Sequence, residues 1–213
     1  MHFALAIALL IAAPAKSPEA RGRSVIHRVQ KFYRHAKNFS AEFDQRYTYV
    51  SFGRTDESKG RVQVKRPRLL HWESEKPEKT VIILDGKDYW QYSPEDKQVV
   101  HKVGFVQDQL SSAFTFLWGK GDLLKDFGAR AVESPEGLPK GDAVELLPKN
   151  PQPQVARLLF VVGKRGEVLA SVVTNAQGDT NQLVFHDVKL NGSLPDSTFT
   201  FTPPPGASVQ DLK

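Results

Sequence analysis

The sequence contains no cysteine among its 213 residues. This absence excludes disulfide bonds, a thiolate nucleophile and a zinc ion held by cysteine ligands. It also excludes a lipid-modified cysteine, so we do not expect the chain to be a lipoprotein itself.

Long apolar runs are scarce, and the clearest one, residues 3–13, is shorter than the roughly 20 residues that a transmembrane helix needs. The run suits the core of a signal peptide with a small-residue cleavage site at residues 13–15. We therefore expect residues 1–15 to be removed after Ala15, and residues 16–213 to form one exported domain. The alternative, a buried N-terminal strand or helix, is less favoured because the apolar residues follow one another without a period.

Signatures of catalysis are absent too. The sequence has no nucleophile elbow, no paired metal-ligating histidines and no glycine-rich phosphate loop. Asp85, Asp179 and Asp187 fall where turns or strand ends are expected, so we interpret them as structural. We expect neither enzymatic activity nor a cofactor or metal, although a site assembled from distant residues stays open.

The charge is moderately basic, with 29 lysines and arginines against 24 acidic residues, a formal net charge of +5. In an exported chain this excess favours anionic lipid or an acidic protein as a partner. A basic surface that is merely solvated fits equally well. The short cluster Lys65, Arg66 and Arg68 belongs to no recognisable nucleic-acid module, so we expect no nucleic-acid partner.

Hydrophobic periodicity predicts a helix followed directly by a long strand. Ser24 is a candidate helix cap and Asn38 a candidate helix end. The apolar residues between them fall at helical spacing: Val25, Val29, Phe32 and Ala36. The period then changes to two, as in a half-buried strand, with Phe39, Ala41, Phe43, Tyr47 and Tyr49 on one face.

Further strands are predicted in ten short segments: residues 61–65, 69–73, 80–84, 88–93, 98–103, 143–147, 157–162, 167–175, 182–190 and 199–202. Their short connections favour antiparallel neighbours. Between residues 106 and 128 the period is helical, and Asp122 can cap a second short turn containing Leu123, Leu124 and Phe127. Three helical pieces thus face one large sheet, and an apolar face left uncovered would form a cavity; a fully packed core is the alternative.

Several motifs occur in an order that is specific as a set. They are Val64-Lys65-Arg66-Pro67 followed by Trp72, the turn Asp85-Gly86-Lys87 followed by Trp90-Gln91-Tyr92-Ser93-Pro94, and the ending from Phe199 to Val209. In these features, from about residue 39 to residue 211, the chain resembles the LolA family of periplasmic outer-membrane lipoprotein carrier proteins.

The resemblance implies a mainly β fold with some α structure: an incomplete antiparallel β-barrel, or large curved sheet, with a helical lid over an apolar cavity. It also implies a periplasmic monomer that needs no cofactor. Such a carrier receives acylated lipoproteins from an inner-membrane ABC transporter and delivers them to an outer-membrane lipoprotein acceptor. The alternative is a regulatory domain on the same scaffold that senses lipid or lipoprotein.

One arginine of the family's Lys-Arg-Pro motif holds the lid shut by hydrogen bonds, and the matching position is Arg66. Strict alternation from Val62 and Val64 would also place Arg66 on the apolar face, where its five donors need acceptors. Carbonyl groups at a helix end would serve. The alternative is an arginine at a strand end that extends to water.

The aromatic and apolar residues of these elements are the candidates for lining a lipid cavity. They are Phe43, Tyr47, Leu70, Trp72, Trp90, Tyr92, Leu110, Phe114, Leu117 and Trp118. Each alone is more typical of an ordinary core residue. The chain departs from some family members by having Leu70 where an aromatic residue can stand, and Arg68 after the proline.

Overall fold

The computed structural model describes residues 16–76, 78–104, 122–151 and 154–212. The predicted signal peptide, residues 1–15, lies outside these ranges. So does most of the predicted helical region between residues 106 and 128, including Leu110, Phe114, Leu117 and Trp118.

The first helix, α1, spans Pro18–Arg34. Ser17 caps it, since its side chain accepts a hydrogen bond of 3.2 Å from the Ala20 amide, and proline suits the first helical position. The prediction of Ser24 as the cap was therefore wrong. The helix extends through the polar residues before Ser24, and its first buried residue is Gly22. A search for regularly spaced apolar residues does not count glycine, so it missed this part of the helix.

Twelve strands follow in the described residues. They are β1 Asn38–Tyr49, β2 Arg54–Lys65, β3 Leu69–Lys76, β4 Thr80–Asp85, β5 Tyr89–Ser93, β6 Gln98–Lys102, β7 Phe127–Val132, β8 Asp142–Pro148, β9 Arg157–Val162, β10 Val168–Thr174, β11 Thr180–Leu190 and β12 Ser208–Leu212. They form one sheet in the order β12-β6-β5-β4-β3-β2-β1-β11-β10-β9-β8-β7. All neighbours are antiparallel except β12, which runs parallel to β6. The predicted fold class, a large curved antiparallel sheet that does not close into a barrel, is confirmed.

Two strands escaped the sequence analysis and one predicted strand was wrong. β7 begins at Phe127, which was assigned to a helical turn, and β12 is exposed along its whole length, so it shows no alternation. The predicted strand 199–202 does not form: its first residue, Phe199, is buried at the end of a 3₁₀ turn, Asp196–Phe199. The prolines at 203–205 cannot donate hydrogen bonds to a strand ladder.

The short helix α2, Leu123–Asp126, matches the predicted turn, because the Asp122 side chain accepts a hydrogen bond of 3.0 Å from the Leu124 amide. A 3₁₀ turn, Val50–Phe52, joins β1 to β2. No helix within the described ranges combines the length and apolar character needed to span a bilayer.

Helix α1 covers one half of the sheet, packing mainly against β7 and β8. Ile26 and Val29 are fully buried with Val144 and Phe160. At the end of the helix, the buried Tyr33 hydroxyl accepts a hydrogen bond from the Val168 amide. Burial raises the pKa of that hydroxyl, so it stays neutral. This half of the sheet is a packed core.

We predict that Gly22→Ala destabilises the fold. A helical glycine normally costs about 1 kcal/mol relative to alanine, so the substitution would ordinarily stabilise. Here a Cβ atom would lie 2.8 Å from the Cα of Arg130 and the amide nitrogen of Ala131 in β7. We expect the free energy of unfolding in urea to fall by about 1 to 3 kcal/mol.

The matched control is Gly128→Ala in β7, where the nearest atom to a new Cβ, the Leu147 carbonyl oxygen, is 3.9 Å away. This variant should unfold at the same or a higher urea concentration than the wild type. A Gly22→Ala protein as stable as the wild type would contradict the close packing of α1 on β7.

Candidate functional site

An open pocket of about 700 Å³ lies on the face shared by β1 to β5 and β11. This volume is within the range of about 300 to 1,000 Å³ that is typical of small-molecule sites. The pocket is lined by Gln45, Tyr49, Val62, Leu70, Trp72, Ser74, Thr80, Ile82, Leu84, Tyr89, Gln91, Asn181 and Leu183. None of these described lining residues carries a charge, so the pocket suits an apolar or neutral ligand.

The floor of the pocket is aromatic. Phe43 is only 1% exposed, and its ring stacks on that of Trp72 with centroids 4.0 Å apart and planes at 30°. Gly60 pairs with Phe43 across β1 and β2, and a Cβ atom there would lie 2.8 Å from the tip of the Phe43 ring. The missing side chain at Gly60 therefore leaves room for the Phe43 ring, which stacks on Trp72.

Four of the predicted cavity residues come together at this pocket. Leu70 and Trp72 line it, and Phe43 lies beneath Trp72. Tyr47 packs on the lining residue Tyr49, with ring centroids 4.4 Å apart. Burial raises the pKa of the Tyr47 hydroxyl, and the nearby Asp179 adds to the shift.

Trp90 and Tyr92, also predicted as cavity residues, do not line this pocket. Both rings pack near Phe201, with centroids at 5.5 Å and 5.8 Å, and Trp90 also stacks on His101 at 3.7 Å. Alternation along β5 turns Tyr89 and Gln91 towards the pocket instead. Trp90 and Tyr92 hold the C-terminal segment against the other face of the sheet.

The sequence analysis missed the other eleven lining residues. In β4 both parities are apolar, so the pattern alone could not show that Ile82 and Leu84 face the pocket. Once the register is known, the pairing of Leu84 with Tyr89 shows that Leu84 lies on the same face of the sheet as Tyr89. Gln45 and Asn181 were overlooked because polar residues were not considered as candidates for a lipid cavity.

Arg66 follows β2 and reaches the end of α1. Its Nη1 donates a hydrogen bond of 2.8 Å to the Arg34 carbonyl, and its Nη2 donates to the Tyr33 carbonyl. Carbonyl groups in the last turn of a helix lack intrahelical partners and lie at the negative end of the helix dipole. The guanidinium thus joins the β2–β3 connection to α1, beside the apolar end of the pocket.

Asp85 organises the turn between β4 and β5. Its carboxylate accepts hydrogen bonds from the amides of Lys87 (2.9 Å) and Asp88 (2.8 Å) and from Trp90 Nε1 (3.1 Å). Burial alone would raise the pKa of this carboxyl, but these hydrogen bonds outweigh it and the pKa lies below its usual value.

In the pocket itself, burial raises the pKa of the Tyr89 hydroxyl. In the described ranges no three histidine or acidic side chains are grouped to hold a metal ion.

Known proteins resemble this chain along most of its length. The family model "Outer membrane lipoprotein carrier protein LolA" matches residues 34–202. The outer-membrane lipoprotein carrier protein of Dechloromonas aromatica is 32% identical over 185 residues, which cover 86% of each chain. That of Chromobacterium violaceum is 30% identical over 211 residues, covering 98% of this chain and 95% of the relative.

A crystal structure of an uncharacterized conserved protein from Thermus thermophilus shares the fold. Its TM-score is 0.56 at 18% sequence identity, with 90% of this chain and 99% of the other covered. Because the family model spans most of the sequence, the chain belongs to the LolA family of outer membrane lipoprotein carrier proteins.

Proposed function

We propose that this chain is a periplasmic lipoprotein carrier, which binds the acyl chains of its cargo in the pocket between β1 to β5 and β11. The observation that carries the proposal is the uncharged pocket of about 700 Å³ with an aromatic floor, in a member of the carrier family. Residues 1–15 would direct export, and residues 16–213 would form the carrier domain.

The energetics explain the need for such a pocket. Each acyl methylene buried in a membrane is worth about 0.8 kcal/mol, so a multiply acylated protein hardly ever leaves its bilayer unaided. Leu70, Trp72 and Leu84 offer a substitute apolar surface. Because the pocket is open to solvent, it replaces only part of the membrane contact, and the cargo can be passed on.

The direction of transport requires partners. On this proposal an inner-membrane ABC transporter supplies the energy of loading, and an outer-membrane acceptor that binds more tightly receives the cargo. Neither step needs a cofactor on this chain, which acts by binding and not by catalysis. A domain that senses lipid or lipoprotein is less favoured, because the named carriers match over 86% and 95% of their own lengths.

The first test is Trp72→Glu, which places a carboxylate on the floor of the pocket beside Phe43. Burying a charge against acyl chains is unfavourable, so loading with an acylated lipoprotein should fall by more than about tenfold. The measurement is co-purification of lipoprotein with the carrier, checked by mass spectrometry for acylated polypeptide.

Trp72→Phe is the matched control, since it keeps an aromatic ring on Phe43 and should load almost normally. Circular dichroism of both variants separates loss of binding from loss of folding. Normal loading of a folded Trp72→Glu protein would show that acyl chains do not occupy this pocket.

The second test is Arg66→Leu, which removes both hydrogen bonds to the end of α1. We expect a loss of about 1 to 3 kcal/mol in the free energy of unfolding of the empty protein. Cargo should still load, but transfer to the acceptor should slow, because the empty state loses the contacts that favour release. The readout is transfer between two membrane populations.

The control is Arg68→Leu, because Arg68 is exposed and makes no hydrogen bond or ion pair with any residue in the described ranges. It should transfer cargo at the wild-type rate. Equal transfer by the Arg66→Leu and wild-type proteins would show that the hydrogen bonds of Arg66 to α1 do not control release.

A further inference from the structure

The pocket is divided along the strand direction into an apolar end and a polar end. The register places Gln45 and Asn181 on the side of the β1–β2 hairpin and the β10–β11 turn. Ser74 and Thr80 pair with each other towards the same end of β3 and β4, whereas Gln91 pairs with Ile82 and is level with Trp72. The apolar residues lie about two positions further along each strand, a distance of about 7 Å. The pocket is therefore amphipathic.

The polar row is held in one orientation by its own hydrogen bonds. Gln45 Nε2 donates to Asn181 Oδ1 at 2.9 Å, and Ser58 Oγ donates to Gln45 Oε1 at 3.0 Å. On β5 the Tyr89 hydroxyl donates to Gln91 Oε1 at 2.6 Å. Every amide oxygen of the row thus already accepts a bond from the protein.

The side-chain nitrogen atoms of this row have N–H groups that donate to no described residue. Among the described residues, no hydrogen bond uses Asn181 Nδ2 or Gln91 Nε2, and Gln45 Nε2 has a second N–H. Ser74 Oγ accepts a bond of 3.2 Å from Trp72 Nε1, so its own hydrogen is also available. The polar end of the pocket is consequently rich in neutral donors.

Donors that face a pocket require acceptors when a ligand displaces water, because an unsatisfied buried polar group is unfavourable. The residues lining the pocket include no cation, which argues against a carboxylate or phosphate as the acceptor. Carbonyl oxygens of esters and amides fit, since they are neutral and accept two hydrogen bonds each. An ester offers no donor that would compete with the amide nitrogens.

We propose that Gln45 and Asn181, which are joined by a hydrogen bond, bind the carbonyl groups that link the acyl chains to the cargo. This inference rests on the proposed carrier function and adds an orientation to it. The linkage lies at the polar row and the tails run towards Leu70 and Leu84, at the end of the sheet where Arg66 lies. The polypeptide part of the cargo leaves the pocket on the side of the β1–β2 hairpin.

The test compares two synthetic probes with the same chains. One is a fluorescent peptide beginning with S-[2,3-bis(palmitoyloxy)propyl]cysteine, which has ester carbonyls, and the other is its bis(hexadecyloxy) ether analogue, which has none. Affinities are measured by fluorescence anisotropy below the concentration at which the probes form micelles. The wild-type protein should bind the ester probe about tenfold more tightly than the ether probe.

The double variant Gln45→Met/Asn181→Leu removes donors while keeping side-chain volume. It should lose most of the preference, leaving less than about a twofold difference, through weaker binding of the ester probe alone. The matched control is Gln182→Leu, one residue along β11, because Gln182 lines a groove on the other face of the sheet. This variant should keep the full preference.

The outcomes separate this inference from the proposed function. Equal binding of ester and ether probes by the wild-type protein would overturn the carbonyl site and leave the carrier function intact. Binding of neither probe would overturn both. A preference that persists in the folded double variant would show that the selectivity arises elsewhere in the pocket. The wild-type comparison alone decides the matter if the double variant does not fold.

Discussion

The central constraint on this structure is that helix α1 covers only part of one apolar face of the sheet. An open sheet with an apolar face must hide that face from water. Helix α1 does so over β7 and β8, where Ile26, Val29 and Phe160 are fully buried. Over β1 to β5 and β11 the same face forms an open pocket instead. The packed core and the open pocket thus lie on different halves of one continuous sheet.

The packed core beneath α1 stabilises the sheet that also forms the open pocket. The central strand β1 contributes to both, because Phe39 belongs to the core while Phe43 supports Trp72 at the pocket. A larger residue at Gly60 would disturb the Phe43 ring, and a charged residue in the lining would demand a partner. Twelve strands joined by continuous ladders keep the pocket in shape.

The sequence revealed the fold class because the period of two persists through most strands, and the family resemblance supplied their arrangement. The strands that escaped notice have physical reasons for doing so. β12 is exposed on both faces, and β7 follows α2 without an intervening turn. The N-terminal extension of α1 was hidden because its buried contact is a glycine.

The pocket was harder to predict than the fold. Alternation shows which residues share a face but not which face is open, so Trp72 and Trp90 looked equivalent. The packing of Phe201 against Trp90 and Tyr92 occupies one face of β5, and that contact joins residues more than one hundred positions apart. Such a long-range contact leaves no local trace in the sequence.

The two ends of the pocket impose different demands on a carrier. At the Arg66 end, hydrogen bonds to the Tyr33 and Arg34 carbonyls link the apolar end to a helix that the core already holds in place. At the hairpin end, neutral donors can exchange a ligand carbonyl for water at small net cost. On the proposed function, tail burial therefore supplies most of the affinity while the polar row sets orientation. An amphiphile held in this way can be drawn out by its polar end, because that end gives up hydrogen bonds that water replaces.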